Sequence, residues 1–398
     1  MKNFLSVYFF LISFVLQAQY NNLFQNKDSL SYMPHSLSIG IKHLNYIKNN
    51  EYFNLIADGY TLIGSKTDAE IVLKPHHNYN FTAGFTFIKY AGIDTFTQTI
   101  PYLSLNIKKG NNNFYLGKLY TSDFHQLPQI LYSNERILDK RYIENGLQHR
   151  FTNTNWSTDT WLEWEYFIFK KDSLRERLNF GHTTNYTYFF KNGSIKIPFQ
   201  LYLHHRGGQI NQSVINTQNN NTITVSNIGM GVSLERSFFS KNRIGFTYQY
   251  FMHHINTNQA EEFIFKSGKA HWGQLFFIRK NIFASINYWK SDKFVSVKGD
   301  DMFQSVSRRV EKFTDSNNQT INVFEAHTEP NRELIYMQFR FKKEIYQNLF
   351  VGFSSEFFYQ LNKSNINSPV YNATVHHQLD YNTGLFLIFT FHHKLFTL

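Results

Sequence analysis

The chain has 398 residues, no cysteine, 42 Phe, 25 Tyr and 5 Trp, a mean hydropathy of −0.40 and a formal net charge of +11. So many rings on so polar an average are unusual for a soluble core, and a helical membrane protein is excluded because each spanning helix needs about 20 consecutive apolar residues. The absence of cysteine removes disulfide frameworks, thiolate metal sites, thiol nucleophiles and a lipidated N-terminal cysteine.

In chain order the first element is the one long apolar run, Phe4 to Leu16, preceded by Lys2 and followed by Gln17-Ala18-Gln19. A charged start, a short apolar stretch and a small residue at the cut predict a secretory signal peptide over 1–18, cleaved after Ala18. Residues 19–51 carry Leu37, Ile39 and Ile41 in alternation and are read either as a further strand or as a periplasmic or luminal segment.

From residue 52 the apolar period is two. Leu103, Leu105 and Ile107 alternate with Ser104, Asn106 and Lys108, as a strand with one apolar and one wet face requires. The same alternation marks Phe81 to Phe87, Ile195 to Leu203, Ile244 to Met252, Ile335 to Phe341 and the last segment, from Val375 to Phe391. About sixteen strands are expected, near 52–63, 69–75, 79–90, 98–109, 112–121, 145–152, 159–170, 176–190, 195–206, 223–236, 243–254, 268–278, 282–290, 333–343, 347–360 and 371–391. Two turns set registers. Asn192-Gly193 predicts a type I′ hairpin with Lys191 opposite Ser194, so that Ile195 faces Phe190 and Ile197 faces Tyr188. Gly110-Asn111 sets Phe114 against Ile107 and Leu116 against Leu105.

Tight connections such as 110–111, 192–193 and 279–281 alternate with long ones at 122–144, 207–222, 255–267 and 291–332. Short turns on one rim, long loops on the other and an even strand count resemble the outer-membrane β-barrels of Gram-negative bacteria, porins included, over most of residues 52–398. The terminal strand, with Phe389, Phe391 and Phe396, carries the same resemblance. It implies an all-β, antiparallel up-and-down transmembrane barrel, surrounded by outer-membrane lipid and inserted by the barrel-assembly machinery. It leaves open a monomer, a homotrimer or membership of an envelope complex.

With the apolar parity facing lipid, the opposite parity lines the lumen. The expected luminal charges are Glu163, Glu165, Arg175, Arg177, Arg206, Arg340, Glu356 and Asp380, and a basic ring at the periplasmic mouth is expected from Lys108, Lys196, Arg243, Arg279 and Lys342. Such a ring favours anionic solutes, unless its members are solvated rim charges. The loop 291–332, with Asp300, Asp301, Arg308 and Arg309, either constricts the lumen, by resemblance to porins, or lies exposed. Glu163 and Glu165, two apart on one strand beside arginines, are read as an ion-pair network rather than an acid–base pair.

Ten histidines form five His-His pairs, whose members point to opposite faces of a strand, so no metal site is expected. Outer-membrane phospholipases carry a His and a Ser close together on one strand. Omptin-like proteases use an Asp and a His at the extracellular rim. The nearest counterparts are His182 with Thr183-Thr184 for the first and Asp380 with His376 and His377 for the second. Neither supplies a readable nucleophile with an oriented base, so no catalytic residue, no enzyme activity and no cofactor are expected. Scattered basic charge without a binding motif argues against nucleic acid. The expectation is a porin-like channel for small hydrophilic solutes, leaning toward anions. The alternative is a non-conducting receptor, adhesin or envelope accessory, with a barrel-embedded hydrolase third.

Overall fold

The computed structural model describes residues 32–138, 143–169, 175–207, 222–239, 242–257, 265–307, 311–314, 320–323, 327–362 and 379–398. The predicted signal peptide lies outside them. Sixteen antiparallel strands close into one barrel. They are β1 (Ser36–Glu51), β2 (Tyr60–His76), β3 (Tyr79–Tyr90), β4 (Gln98–Lys109), β5 (Asn112–Lys118), β6 (Asn145–Thr152), β7 (Trp156–Tyr166) and β8 (Arg177–Phe190). There follow β9 (Gly193–Arg206), β10 (Ile223–Phe238), β11 (Asn242–Thr257), β12 (Ser267–Arg279), β13 (Ile282–Asp292), β14 (Asn331–Tyr346), β15 (Leu349–Gln360) and β16 (Asp380–Thr397). Each strand pairs with its sequence neighbour, and β1 pairs with β16 from Ser36↔Thr397 to Glu51↔Tyr381.

Closure leaves no free edge strand, so the ladders pair backbone groups where lipid offers none; only the first half of β4, Gln98 to Leu103, pairs with β3 alone. Leu103, Leu116, Leu147, Ile197, Ile286 and Met337 point outward and are exposed, forming the apolar band of an outer-membrane barrel. Long connections on one rim and tight turns on the other follow the predicted plan.

Three local expectations need correction. Segments 52–63 and 69–75 do not form two strands: 60–63 and 69–75 both belong to β2, 52–59 lie in the connection before it, and the remaining strand is β1. The barrel therefore begins at Ser36, not at residue 52. The physical reason is visible in β1, whose apolar residues switch parity: Leu37, Ile39 and Ile41 face out, then His43 and Asn45 face out while Leu44 and Tyr46 are buried inside. The β8–β9 hairpin is also two residues out of the predicted register. Phe190 pairs with Gly193 and Tyr188 with Ile195, around Lys191-Asn192, where Asn192 has φ 64°. A shift of two leaves every side chain on its predicted face. The β4–β5 register is as predicted, with Ile107↔Phe114 and Leu105↔Leu116.

The core lies inside the barrel. Past β5 the chain turns into the lumen and buries Phe124, Leu127, Ile130, Leu131, Tyr132, Ile137 and Leu138. A second segment after β13 brings in Phe294, Met302 and Phe303. Both pack on inward residues of the wall, among them Tyr46, Trp161, Tyr202, Trp289, Tyr336 and Phe358. Each fully buried ring of this size stabilises by roughly 1.5–3 kcal/mol. Ser133 N donates to Lys298 O (2.8 Å) and Asp300 N to Gln129 O (3.0 Å), so the two segments form one plug.

Candidate functional site

Two polar constellations stand apart from the apolar packing, one inside the wall and one on its outer face. The inner one centres on His125, at the middle of Phe124-His125-Gln126, three successive residues with φ between 50° and 59°. Left-handed backbone costs roughly 1–2 kcal/mol per residue without glycine, so the surroundings must hold it. His125 Nε2 meets Glu144 at 2.8 Å and Nδ1 meets Asp159 at 3.1 Å, while the ring stacks on Trp161 at 3.8 Å. Thr183 Oγ1 donates to the His125 carbonyl (2.9 Å). Burial pushes the imidazole down, but the carboxylates of Asp159 and Glu144 outweigh it and hold the pKa up at about 9.

Lys298 of the second plug segment completes this network, at 2.5 Å from Glu163, 3.3 Å from Glu165 and 3.6 Å from Glu144. Asn179 donates to both Glu163 and Glu165 at 2.8 Å, and Arg150 pairs with Asp123 and Asp159. His125, Glu144, Glu163 and Lys298 are essentially inaccessible. A protonated, doubly paired and buried imidazole does not act as a base; it ties the plug to strands β6, β7 and β8.

The outer constellation is a row across β6, β7 and β8. Register sets His149 beside Thr160 and Thr160 beside His182. His182 Nδ1 lies 2.7 Å from Thr160 Oγ1, and its Nε2 lies 2.8 Å from Thr184 Oγ1. With the proton on Nδ1, the ring donates to Thr160 and leaves Nε2 to accept from the Thr184 hydroxyl. The row thus offers a hydroxyl, a ring nitrogen in reach of its proton and a second hydroxyl that orients the ring. His149, further along the row, is held by Asn112 Oδ1 (2.9 Å) and stacks on Phe114. Beside the row runs an apolar groove of about 410 Å³, lined by Leu105, Phe114, Leu147, Thr160, Leu162 and Phe180 among others. Ionisable residues within an apolar band are costly to keep and mark function by default.

The other predicted residues fall as follows. Glu163 and Glu165 are luminal and belong to the Lys298 network. Arg177 lies 3.7 Å from Glu165 and directly opposite Arg206, with Arg175 just before β8. Arg340 and Glu356 lie 3.6 Å apart in the lumen. Asp380 accepts from Phe53 N (2.5 Å) and Asn54 Nδ2 (3.0 Å), while His376 and His377 lie outside the described residues. Lys108, Lys196, Arg243 and Lys342 have luminal parity near the tight turns. Arg279 does not: on β12 it is Trp272, Gln274, Phe276 and Ile278 that turn inward, so Arg279 faces out. Phe276, Ile278 and Phe283 form a small apolar cluster at that inner corner, which reverses the predicted parity. Asp300 is buried and caps the turn Asp301–Phe303, while Arg308 and Arg309 lie outside the described residues. His204 pairs with Asn179 (2.7 Å) and His253 accepts from Val295 N (3.2 Å).

Sequence reasoning considered His182 but not Thr160, which is 22 residues away and adjacent only through the sheet. It missed His125, Glu144 and Asp159 altogether, for no local spacing links them.

A family model described as Lipid A 3'-O-deacylase-type matches residues 25–398. No curated protein matches the chain. Similar solved structures include OccAB2 of Acinetobacter baumannii, with 8% identity and a TM-score of 0.51 over 89% of this chain and 98% of that one. OpdL of Pseudomonas aeruginosa has 10% identity and a TM-score of 0.48 over 91% and 99%. An anion-selective porin from Comamonas acidovorans has 10% identity and a TM-score of 0.47 over 89% and 99%. At such identities the likeness concerns fold alone. The matched family is one of enzymes by its description, which overturns the expectation that the chain is not an enzyme.

Proposed function

The chain belongs to the lipid A 3'-O-deacylase-type family, and from this premise we propose that it cleaves an acyl ester of a lipid A-type glycolipid, presented laterally from the outer leaflet. The observation that carries the reading is the Thr184–His182–Thr160 geometry on the lipid-facing wall beside the apolar groove. Thr184 Oγ1 attacks the ester carbonyl carbon as His182 Nε2 takes its proton. The proton passes to the leaving alkoxide, so the sugar-side hydroxyl departs and the acyl group stays on Thr184. Water, deprotonated by the same nitrogen, then releases the fatty acid. Thr160 accepts from Nδ1–H and keeps the ring in the reactive tautomer; the groove seats the acyl chain.

At a rise of about 3.3 Å per residue and a tilt near 40°, His182 lies roughly 12 Å below the Arg177 end of β8. The ester must therefore sink below headgroup level at this wall. A polar row inside the band draws water and thins the adjoining bilayer, which works in that direction.

The test is fatty-acid release from lipid A in detergent micelles, followed by mass spectrometry. Thr184→Ala and His182→Ala are expected to lower the rate at least about 100-fold, and Thr184→Ser to retain it. Full activity in either alanine variant would defeat the assignment.

A second reading, a diffusion channel, draws support from the polar luminal face and from Lys108, Lys196 and Lys342 near the periplasmic mouth, which would draw anions. It requires the plug to move, and it would admit a trimer or a larger envelope complex.

A further inference from the structure

β5 and β6 are the shortest strands of the wall, seven and eight residues against twelve in β4 and eleven in β7. The row Ser104, Gly117, Gly146 and Glu163 runs across their upper ends. Above this row β4 continues from Leu103 to Gln98 with β3 as its sole strand partner among the described residues, while β7 continues to Tyr166 paired with β8. The wall therefore has a notch at the long-loop rim, the width of two strands or roughly 10 Å. Lys108 N donates to Asn78 O (2.8 Å), which turns the even residues of β4 toward β3 and, by the alternation of an antiparallel ladder, the odd ones toward the notch. Pro101 stands on that open edge, where the N–H it lacks is not needed. Thr99 presents an N–H and a carbonyl to the gap, and Pro101 a carbonyl. The floor is bare, since Gly117 and Gly146 face each other across it. Exposed rings flank the gap, Phe96 before β4 and Trp164 and Phe167 on the β7 side, as interfacial anchors do. Below the floor the outer face passes into the apolar groove, and Thr160 and His149 lie three residues beneath Glu163 and Gly146.

We propose that this notch is the lateral docking site of one outer-leaflet glycolipid. The sugar settles on the floor, its hydroxyl and amide groups pair with the open edge of β4, and one acyl chain drops into the groove. The glycolipid as occupant rests on the deacylase reading; the notch does not. Unpaired backbone groups at lipid depth are costly. Hydrocarbon tails offer them nothing, whereas a sugar with hydroxyls and amide-linked chains supplies donors and acceptors together. The floor also shortens the descent of the ester: Thr160 lies roughly 8 Å below Glu163 in depth, against the roughly 12 Å that separates His182 from the top of β8.

The chain has no cysteine, so a single introduced thiol can be labelled alone. Thr99→Cys places one on the notch. Met252→Cys places another on the outer face of β11, ten residues above the tight-turn end of its strand, as Thr99 is in β4. Each full-length barrel would carry a benzophenone maleimide, be set in vesicles of phosphatidylethanolamine and lipid A, and be irradiated. Heat-modifiable mobility on gels checks that each is a closed barrel. Cross-linking to lipid A is expected to be about tenfold higher at residue 99 than at residue 252, the preference that one or two hydrogen bonds supply, with phosphatidylethanolamine captured equally at both. Equal capture of lipid A at the two positions would overturn the docking site. Selective capture of phosphatidylethanolamine at residue 99 would overturn the glycolipid as its occupant. Capture does not depend on turnover, so selective cross-linking to lipid A without fatty-acid release would fail the deacylase reading alone. Where turnover occurs, the label at residue 99 should raise KM for lipid A and spare kcat, and an unchanged KM would count against the notch.

Discussion

His125 and His182 show how one residue type meets opposite surroundings according to where the fold puts it. His125 sits between two carboxylates in a sealed interior, and its pKa of about 9 exceeds the ordinary 6.5 of an unfolded chain. A group raised on folding contributes stability that is complete below the unfolded value and lost as pH rises through the folded one. Thermal unfolding in detergent should therefore be insensitive to pH below about 6.5 and lose up to about 3 kcal/mol between pH 6.5 and 9.5. His125→Gln should flatten that dependence; an unchanged profile would remove His125 as its source. None of this network was legible beforehand, because Glu144 and Asp159 lie 19 and 34 residues from His125 and meet it only through the fold. His182 was half legible. Thr184, two residues on, shares its face, whereas Thr160 joins it across the ladder.

At the level of elements, the plug depends on Lys298. Lys298→Met leaves Glu144, Glu163 and Glu165 facing one another without their shared cation, which costs about 3–5 kcal/mol for a buried pair broken on one side. Limited proteolysis should then cut the second plug segment while the barrel stays closed; resistance equal to wild type would show that the apolar packing of Phe294, Met302 and Phe303 suffices. The short strands β5 and β6 depend on glycine. Gly117 pairs with Gly146, and a Cβ at Gly146 would come within 1.9 Å of the Leu162 carbonyl oxygen. Gly146→Val is expected to lower the yield of heat-modifiable barrel, and an undiminished yield would mean that the ladder shifts to make room. Strand alternation was readable wherever the lumen is polar, as along β4 and β9. It failed where the plug makes the lumen apolar: Leu44 and Tyr46 turn in to meet it and invert the pattern of β1. The end of β12 fails likewise, since the Phe276–Ile278 corner is an apolar patch on the wet side.

At the scale of the whole molecule, a closed wall of sixteen strands is wide enough for an aqueous channel, yet its interior holds one continuous core built from two inward segments and the wall. A cavity beside the plug, lined by Lys48, Glu135, Asp300, Arg340 and Glu356 among others, holds about 50 Å³, space for water rather than for a sugar. In planar bilayers the intact barrel is expected to give no steady conductance, and deletion of 295–304 to produce open steps. Stable steps from the intact protein would favour the channel reading. The polar average and the high ring content that first seemed at odds are reconciled by this plan. Rings face lipid on one parity and also fill the plug, while polar side chains occupy the rest of the interior.

The most direct test of the account asks whether the outer wall performs acyl transfer. The purified barrel would be incubated with a lipid A-type substrate, quenched in acid during turnover, digested, and the peptide containing Thr184 weighed. The account predicts a mass increase of one acyl group on Thr184 in wild type, absent in His182→Ala. Fatty-acid release with no acyl group on this peptide, or the same release after His182 is removed, would contradict it.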